Sequence, residues 1–192
     1  MDSLKLLIAA EGRVLSNDIL KVDSFLNHQV DTAFLNEIGK EFKKVFADCE
    51  VTKILTIEAS GIAVSCATSQ FFNFCPVVFA KKGSASNIGD DVYHASEHSY
   101  TRGTDVEITV SKKYLSENDK ILIIDDFLAN GEALSALISV VKQAGCELVG
   151  CGIVIEKAYQ PGGDIIRKQG IRVESLARIA SMSPEKGVEF CQ

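Results

Sequence analysis

Residues 121–145 limit what this chain can become more than any other stretch. Ile121, Leu122, Ile123 and Ile124 form an uninterrupted aliphatic run, which reads as a strand buried on both faces. Asp125 and Asp126 end it, a short loop closes on Gly131, and a helix is expected from about Glu132. Leu134, Leu137, Ile138 and Val141 recur at i, i+3, i+4 and i+7 along one face of that helix, and Ala144-Gly145 is its expected C-terminal stop. A buried strand, a tight loop and a helix place a ligand site at the carboxyl edge of an α/β sheet.

The loop has a definite chemistry. The first amides of a helix lack intrahelical acceptors and sit in the positive end of its dipole, so they bind phosphate without needing a lysine. Gly131 lets the backbone approach the ligand closely. Asp125 and Asp126 would repel phosphate, but carboxylates suit the hydroxyl donors of a sugar. Phosphate beside vicinal hydroxyls describes a ribose 5-phosphate. A receiver domain also opens on an acidic pair after a strand, but residues 127–192 are too few to complete one. No G-x-x-x-x-G-K-[ST] is present. On this loop alone, a solvated strand-to-helix turn with an acidic first turn stays open.

The remaining sequence alternates strands with helices, which favours a mostly parallel sheet flanked by helices. Residues 31–47 are helical, with Phe34, Leu35, Ile38, Phe42, Val45 and Phe46 on one face. Strands are expected at 53–58, 76–80, 121–125 and 148–156, an extended segment at 171–176, and helices at 62–72 and 163–169. Met1 to Ala10 is a short amphipathic helix without a basic leader, so a secretory signal is not expected. Residues 81–119 read as polar and irregular, with one alternating segment at 106–110. A second bend, Thr56 to Ala63, ends a buried strand in small residues and offers another ring of amides plus the Ser60 hydroxyl. A net charge of −6 argues against nucleic acid, and no run of apolar residues is long enough for a membrane span. Six cysteines without a C-x-x-C read as reduced, with Cys66, Cys75 and Cys146 in apolar surroundings, as in a cytoplasmic protein. His94-Ala95-Ser96-Glu97-His98 matches H-x-x-E-H, a zinc pattern, but lacks apolar helical support.

The strand, acidic pair and small-residue loop resemble the phosphoribosyl-pyrophosphate (PRPP) motif of the type I phosphoribosyltransferases. The resemblance implies that family's fold in one domain over 1–192: a mostly parallel sheet flanked by helices, a small hood over about 1–30 and a flexible lid loop over about 81–110. It assigns the ribose hydroxyls to Asp125 and Asp126, and the 5-phosphate to Ala129, Asn130, Gly131, Glu132 and Ala133. The commonest motif has Thr where Asn130 and Ala133 stand, so amides must carry more of the binding here. Glu58, Ala59, Ser60 and Gly61 would bind pyrophosphate, with a cis peptide bond expected within Glu58–Ser60, and Lys81 would bind PRPP from the lid, whose basic residues match at Lys81 and Lys82 and which also carries Tyr100, Thr101 and Arg102.

Val14 to Gln29, Phe127 to Gly131, Gly152 to Lys157 and Arg172 to Ile179 are further similar to the bacterial xanthine phosphoribosyltransferases within that family. This implies transfer of phosphoribose from PRPP to N9 of xanthine, with Leu20, Asn27 and Lys157 at the base. Mg²⁺ would arrive with PRPP, no metal site being fixed by the protein alone. A homodimer is expected, with Phe71-Phe72-Asn73-Phe74 as a contact. Hypoxanthine or guanine as the base, and a PRPP-sensing regulator of the same fold, stay open.

Overall fold

Period-two and period-3.6 apolar patterns follow one another along the chain, and they set the element order of the computed structural model, which describes residues 1–83, 91–99 and 104–192. The elements begin with α1 (Asp2–Glu11), β1 (Arg13–Ser16), β2 (Ile19–Lys21), α2 (Thr32–Val45), β3 (Lys53–Ile57), α3 (Ser60–Ser69) and β4 (Val77–Lys82). They continue with β5 (Val92–Ser99), β6 (Thr104–Ser111), β7 (Lys120–Leu128), α4 (Glu132–Gln143), β8 (Glu147–Lys157), α5 (Gly162–Lys168), β9 (Val173–Ser183) and β10 (Gly187–Phe190). The helix signals are local. Asp31 caps α2, its carboxylate accepting the Phe34 N–H at 3.0 Å. Beyond α4, Gly145 N–H donates to Lys142 O and Cys146 N–H to Val141 O, the paired bonds of a Schellman stop.

β1 and β2 form an antiparallel hairpin of their own. The other strands make one sheet of order β10-β9-β8-β7-β3-β4-β6-β5. Its centre, β9-β8-β7-β3-β4, is parallel, and both edges are antiparallel. The chain lays β3, moves outward to β4 and the β5–β6 hairpin, then returns to β7 on the other side of β3 and continues outward through β8 and β9. Strand order therefore reverses between β3 and β7, the topological switch point where open α/β sheets bind ligands. Successive side chains of β7 enter opposite cores. Leu122 and Ile124 pack with Ile38, Phe42 and Val64, while Ile121 and Ile123 pack with Leu134, Leu137 and Val141. All four β7 residues are fully buried, as expected of a strand covered on both faces.

Two expectations need correction. Residues 81–119 are not uniformly irregular: β5 and β6 pair in register from Val92↔Ser111 to Ser99↔Thr104. Ile108 and Val110 of β6 are buried, while the more polar β5 brings the partly buried Tyr93 and Ala95 to the same core and so leaves little apolar signal. His94 to His98 lie on this strand, not on the helix that H-x-x-E-H requires, and no cluster of three metal-ligating side chains occurs among the described residues. Tyr100, Thr101 and Arg102 lie outside the described residues. The second correction concerns Cys66, which is exposed on α3, whereas Cys75 and Cys151 are buried. Burial pushes the Cys151 thiol up to about 12, so it is a small core hydrophobe.

The close contact of α2 with α3 is set at Gly39, where an added Cβ would lie 2.9 Å from both Ala67 O and Thr68 Cα. Alanine there would gain about 1 kcal/mol of helix propensity and lose about 1–3 kcal/mol to the backbone clash. Gly39→Ala is expected to lower the urea midpoint. A raised midpoint would mean that the helices do not meet here.

Candidate active site

β3 and β7 are adjacent and parallel, so the bends that follow them stand side by side. After β7, the chain turns through Ala129, Asn130 and Gly131 into α4, and Gly131 is its N-cap at φ +93°, a left-handed conformation that glycine adopts freely. The first helical bond runs from Ser135 N–H to Gly131 O, which leaves the amides of Glu132, Ala133 and Leu134 without intrahelical acceptors. After β3, the Glu58–Ala59 peptide bond is cis, and α3 starts at Ser60. Gly61 is buried, and an added Cβ would overlap Thr56 Oγ1 and lie 3.2 Å from Asp125 Oδ1, so the start of α3 packs against the acidic end of β7.

The acidic pair is asymmetric. Asp125 is 5% exposed, and its Oδ1 accepts the Asp126 N–H at 2.9 Å. Burial, followed by the neighbouring Asp126 carboxylate, raises its pKa well above the ordinary 3.8. Lys82 opposes that shift. Asp126 is only half-buried. The Glu58 carboxylate turns to the main chain of β4, accepting the Lys82 N–H at 2.7 Å, so Glu58 braces its bend against the next strand.

Lys81 is not brought to this group. It lines a cavity of about 660 Å³ together with Lys53, Phe79, Thr109, Lys113 and Tyr114, while Lys82, one residue on, acts on Asp125. Alternation along β4 separates the two side chains.

Lys157 ends β8 half-buried, and burial lowers its pKa. Its Nζ donates to Asp18 O at 2.6 Å, in the turn between β1 and β2. Tyr159 Oη donates to Asn17 O at 2.8 Å and Gln160 Nε2 to Asp18 Oδ1 at 3.1 Å, so three donors clasp that turn to the sheet edge. The hairpin thus lies over the end of β8. Leu20 turns its side chain into the core with Leu4 and Ile8, whereas Asn27 is exposed in the following loop. Phe71 and Phe72 pack in or against the core, whereas Asn73 is exposed and Phe74 is 77% exposed.

Residues 27–169 match the phosphoribosyl transferase domain. The chain belongs to the phosphoribosyltransferase family. It is 54% identical over 179 residues to Xanthine phosphoribosyltransferase 2 of Clostridium botulinum, covering 93% of this chain and 94% of that relative. It is likewise 54% identical over 181 residues to a Xanthine phosphoribosyltransferase of Laribacter hongkongensis, covering 94% and 95% of the two chains. Among solved structures, it resembles an APRTase from Giardia lamblia complexed with 9-deazaadenine, with a TM-score of 0.75, 22% identity and coverage of 88% and 94%. It also resembles the adenine phosphoribosyl transferase of Trypanosoma brucei in complex with AMP, pyrophosphate and ribose-5-phosphate, with a TM-score of 0.76, 16% identity and coverage of 91% and 79%. These likenesses are of fold, the type I phosphoribosyltransferase fold of a mostly parallel sheet with flanking helices.

Two residues of this candidate site escape a reading of sequence alone. Thr56 is fully buried with its Oγ1 unpartnered among the described residues, and it packs where Gly61 must be bare. Gly162, in the Pro161-Gly162-Gly163 turn, donates its N–H to Ala129 O at 3.2 Å from beneath the first bend. The Pro-Gly-Gly that follows a buried strand was the available signal.

A raised pKa means that the folded chain holds the Asp125 proton more tightly than the unfolded chain. The corresponding stabilisation is full below about 3.8 and is lost as pH rises through the folded pKa. Asp125→Asn keeps an acceptor for the Asp126 N–H and removes the buried charge. Its Tm is expected to exceed the parent's at neutral pH, with the gap closing as pH falls towards 3.8. A gap that is constant across this range would mean that Asp125 is ionised without penalty.

Proposed function

We propose that the protein transfers the 5-phosphoribosyl group of PRPP to N9 of xanthine, giving xanthosine 5′-phosphate and pyrophosphate. One observation carries the reading: β3 and β7 are paired and parallel at the switch point, each runs on into a helix start, and Gly61 after β3 lies against Asp125 of β7. Its base assignment is supported by relatives named xanthine phosphoribosyltransferases at 54% identity over most of the chain.

In this reading the amides of Ala129 to Ala133 hold the 5-phosphate, and those of Ala59, Ser60 and Gly61 hold the pyrophosphate. Asp125 and Asp126 accept hydrogen bonds from the ribose hydroxyls and fix the ring. The bond from the anomeric carbon to pyrophosphate breaks with its electron pair leaving on pyrophosphate, and the N9–carbon bond forms as xanthine gives up its imidazole proton to solvent. Positive charge that develops on the ribose is met by the two carboxylates, and negative charge on the leaving group by the second bend. Most of the rate then comes from positioning and electrostatics. Mg²⁺ would arrive with PRPP and neutralise charge on the leaving group, no site for it being fixed by the protein alone.

Lys157 is the base-selecting group. An ammonium is a donor only, so it favours a 6-oxo group and rejects the 6-amino group of adenine. The β1–β2 hairpin, with Leu20, and the loop carrying Asn27 act as the hood, Asn27 offering the 2-oxo and N3 edge both a donor and an acceptor. Residues 81–110 are the lid, with Lys82 and not Lys81 serving the site. We read the whole chain as one domain, working as a homodimer with the exposed Phe74 of the Phe71-Phe72-Asn73-Phe74 segment at the contact. Six free thiols fit the reducing cytoplasm.

The test is steady-state release of pyrophosphate with each base at matched PRPP and Mg²⁺. Xanthine is expected to give the highest kcat/KM and adenine none. Lys157→Met should lower kcat/KM for xanthine about 100-fold while leaving the KM for PRPP near the parent's. Preference for hypoxanthine or guanine would overturn the base assignment. PRPP binding without turnover of any base would overturn the reaction.

A further inference from the structure

Glu156 sits at the end of β8, beside the site, and no step of the proposed reaction uses it. Its carboxylate is 2% exposed, and a buried charge persists only with full pairing. Arg167 grips both oxygens, NH1 at 2.8 Å and NH2 at 2.7 Å, while Ser175 Oγ donates at 2.5 Å and Arg178 Nε at 3.2 Å. Although burial alone would raise it, these partners hold the Glu156 pKa below the usual carboxylate range. The charge is thus locked on.

Arg167 belongs to the last turn of α5, a helix of seven residues, too short to persist on its own propensity. Ile166, fully buried, and the Arg167 fork fasten its C-terminal half. The other end of α5 is Gly162, in back-to-back contact with the first bend. Besides its hydrogen bond to Ala129 O, a Cβ on Gly162 would lie 2.5 Å from Asn130 C and from Gly131 N. A Cβ on Gly131 would in turn lie 2.9 Å from Gly162 Cα. The backbone of α5 is therefore the floor on which residues 129–131 rest, and α5 is anchored through Arg167 to Glu156.

We propose that Glu156 and Arg167 are positioning residues for phosphate binding, holding Gly162 as the rigid backstop of the 129–133 bend. The inference rests on that bend being the 5-phosphate site proposed above. Neither side chain touches substrate. Their effect is to keep the loop amides aimed before PRPP arrives, which lowers the ordering cost of binding. A fork is required because a lysine cannot engage both oxygens in one plane.

The test compares Arg167→Met, Arg167→Lys and Gly162→Ala with the exposed control Lys168→Ala. Two readouts are used, steady-state KM for each substrate and, in the substrate-free protein, hydrogen exchange of the amides that bond to the loop, residue 162 to Ala129 O and Ser135 to Gly131 O. Arg167→Met and Gly162→Ala are expected to raise the KM for PRPP about tenfold with the KM for xanthine within about twofold, and to speed loop exchange about tenfold. Arg167→Lys should recover part of both effects, and Lys168→Ala should match the parent. Gly162→Ala disturbs the contact without stranding a buried charge, so it decides the matter should Arg167→Met fail to fold. Unchanged loop exchange, or an equal rise in both KM values, would overturn the positioning role and leave a purely structural ion pair. A parent protein that binds no PRPP would overturn the reading of the bend itself and with it the positioning role, while faster exchange in the variants would still report the backstop contact.

Discussion

Everything at the site depends on the parallel pairing of β3 with β7, Lys53↔Ile121 through Leu55↔Ile123. Neither strand follows the other in sequence, and the pair forms only because the chain leaves β3 on one side and returns on the other. That reversal leaves a crevice that no crossover helix covers, and it brings two helix starts to the same edge. The buried aliphatic side chains of the two strands fix the register. A slip of one residue would turn Asp125 to the opposite face and dismantle the arrangement.

The net charge of −6 and a site built for a polyanion are reconciled by this geometry. Attraction comes from oriented amides and helix ends, which are short-ranged and independent of the formal charge. The two aspartates lie where hydroxyls, not phosphates, are expected. Asp125 is a local sacrifice of stability, since its carboxylate is held from water beside another carboxylate. Strain of this kind is found where chemistry requires it and where the surrounding core is strong enough to hold it. Here that core comprises the fully buried Leu55, Ile121 and Ile123.

Local patterns wrote much of this into the sequence. The β7–Gly131–α4 unit is legible because a buried strand, an acidic stop and a left-handed glycine each have a distinct residue signature. The second bend was readable for the same reason. What escaped involves partners distant in sequence. The β5–β6 hairpin is hidden because β5 is largely polar and gives the core the partly buried Tyr93 and Ala95, whereas Ile108 and Val110 of β6 are fully buried. Lys81 and Lys82 are indistinguishable as letters, and only the pleat of β4 separates them. The exposure of Cys66 depends on which face of α3 meets α2. The Glu156 cluster unites residues 156, 167, 175 and 178, and nothing about a glutamate in a strand announces three donors across a sheet edge.

The clasp between Lys157 and the turn of β1–β2 has a further consequence. In the free protein the half-buried ammonium rests against the main-chain oxygen of Asp18. On the proposed reading, that oxygen is a surrogate for the carbonyl of the incoming purine. Binding then exchanges one neutral acceptor for another, so part of the dehydration of the lysine is complete beforehand. Because the surrogate is main chain, no side-chain replacement at position 18 deletes it. The turn is thereby tied to occupancy of the pocket through a group that mutation cannot easily alter.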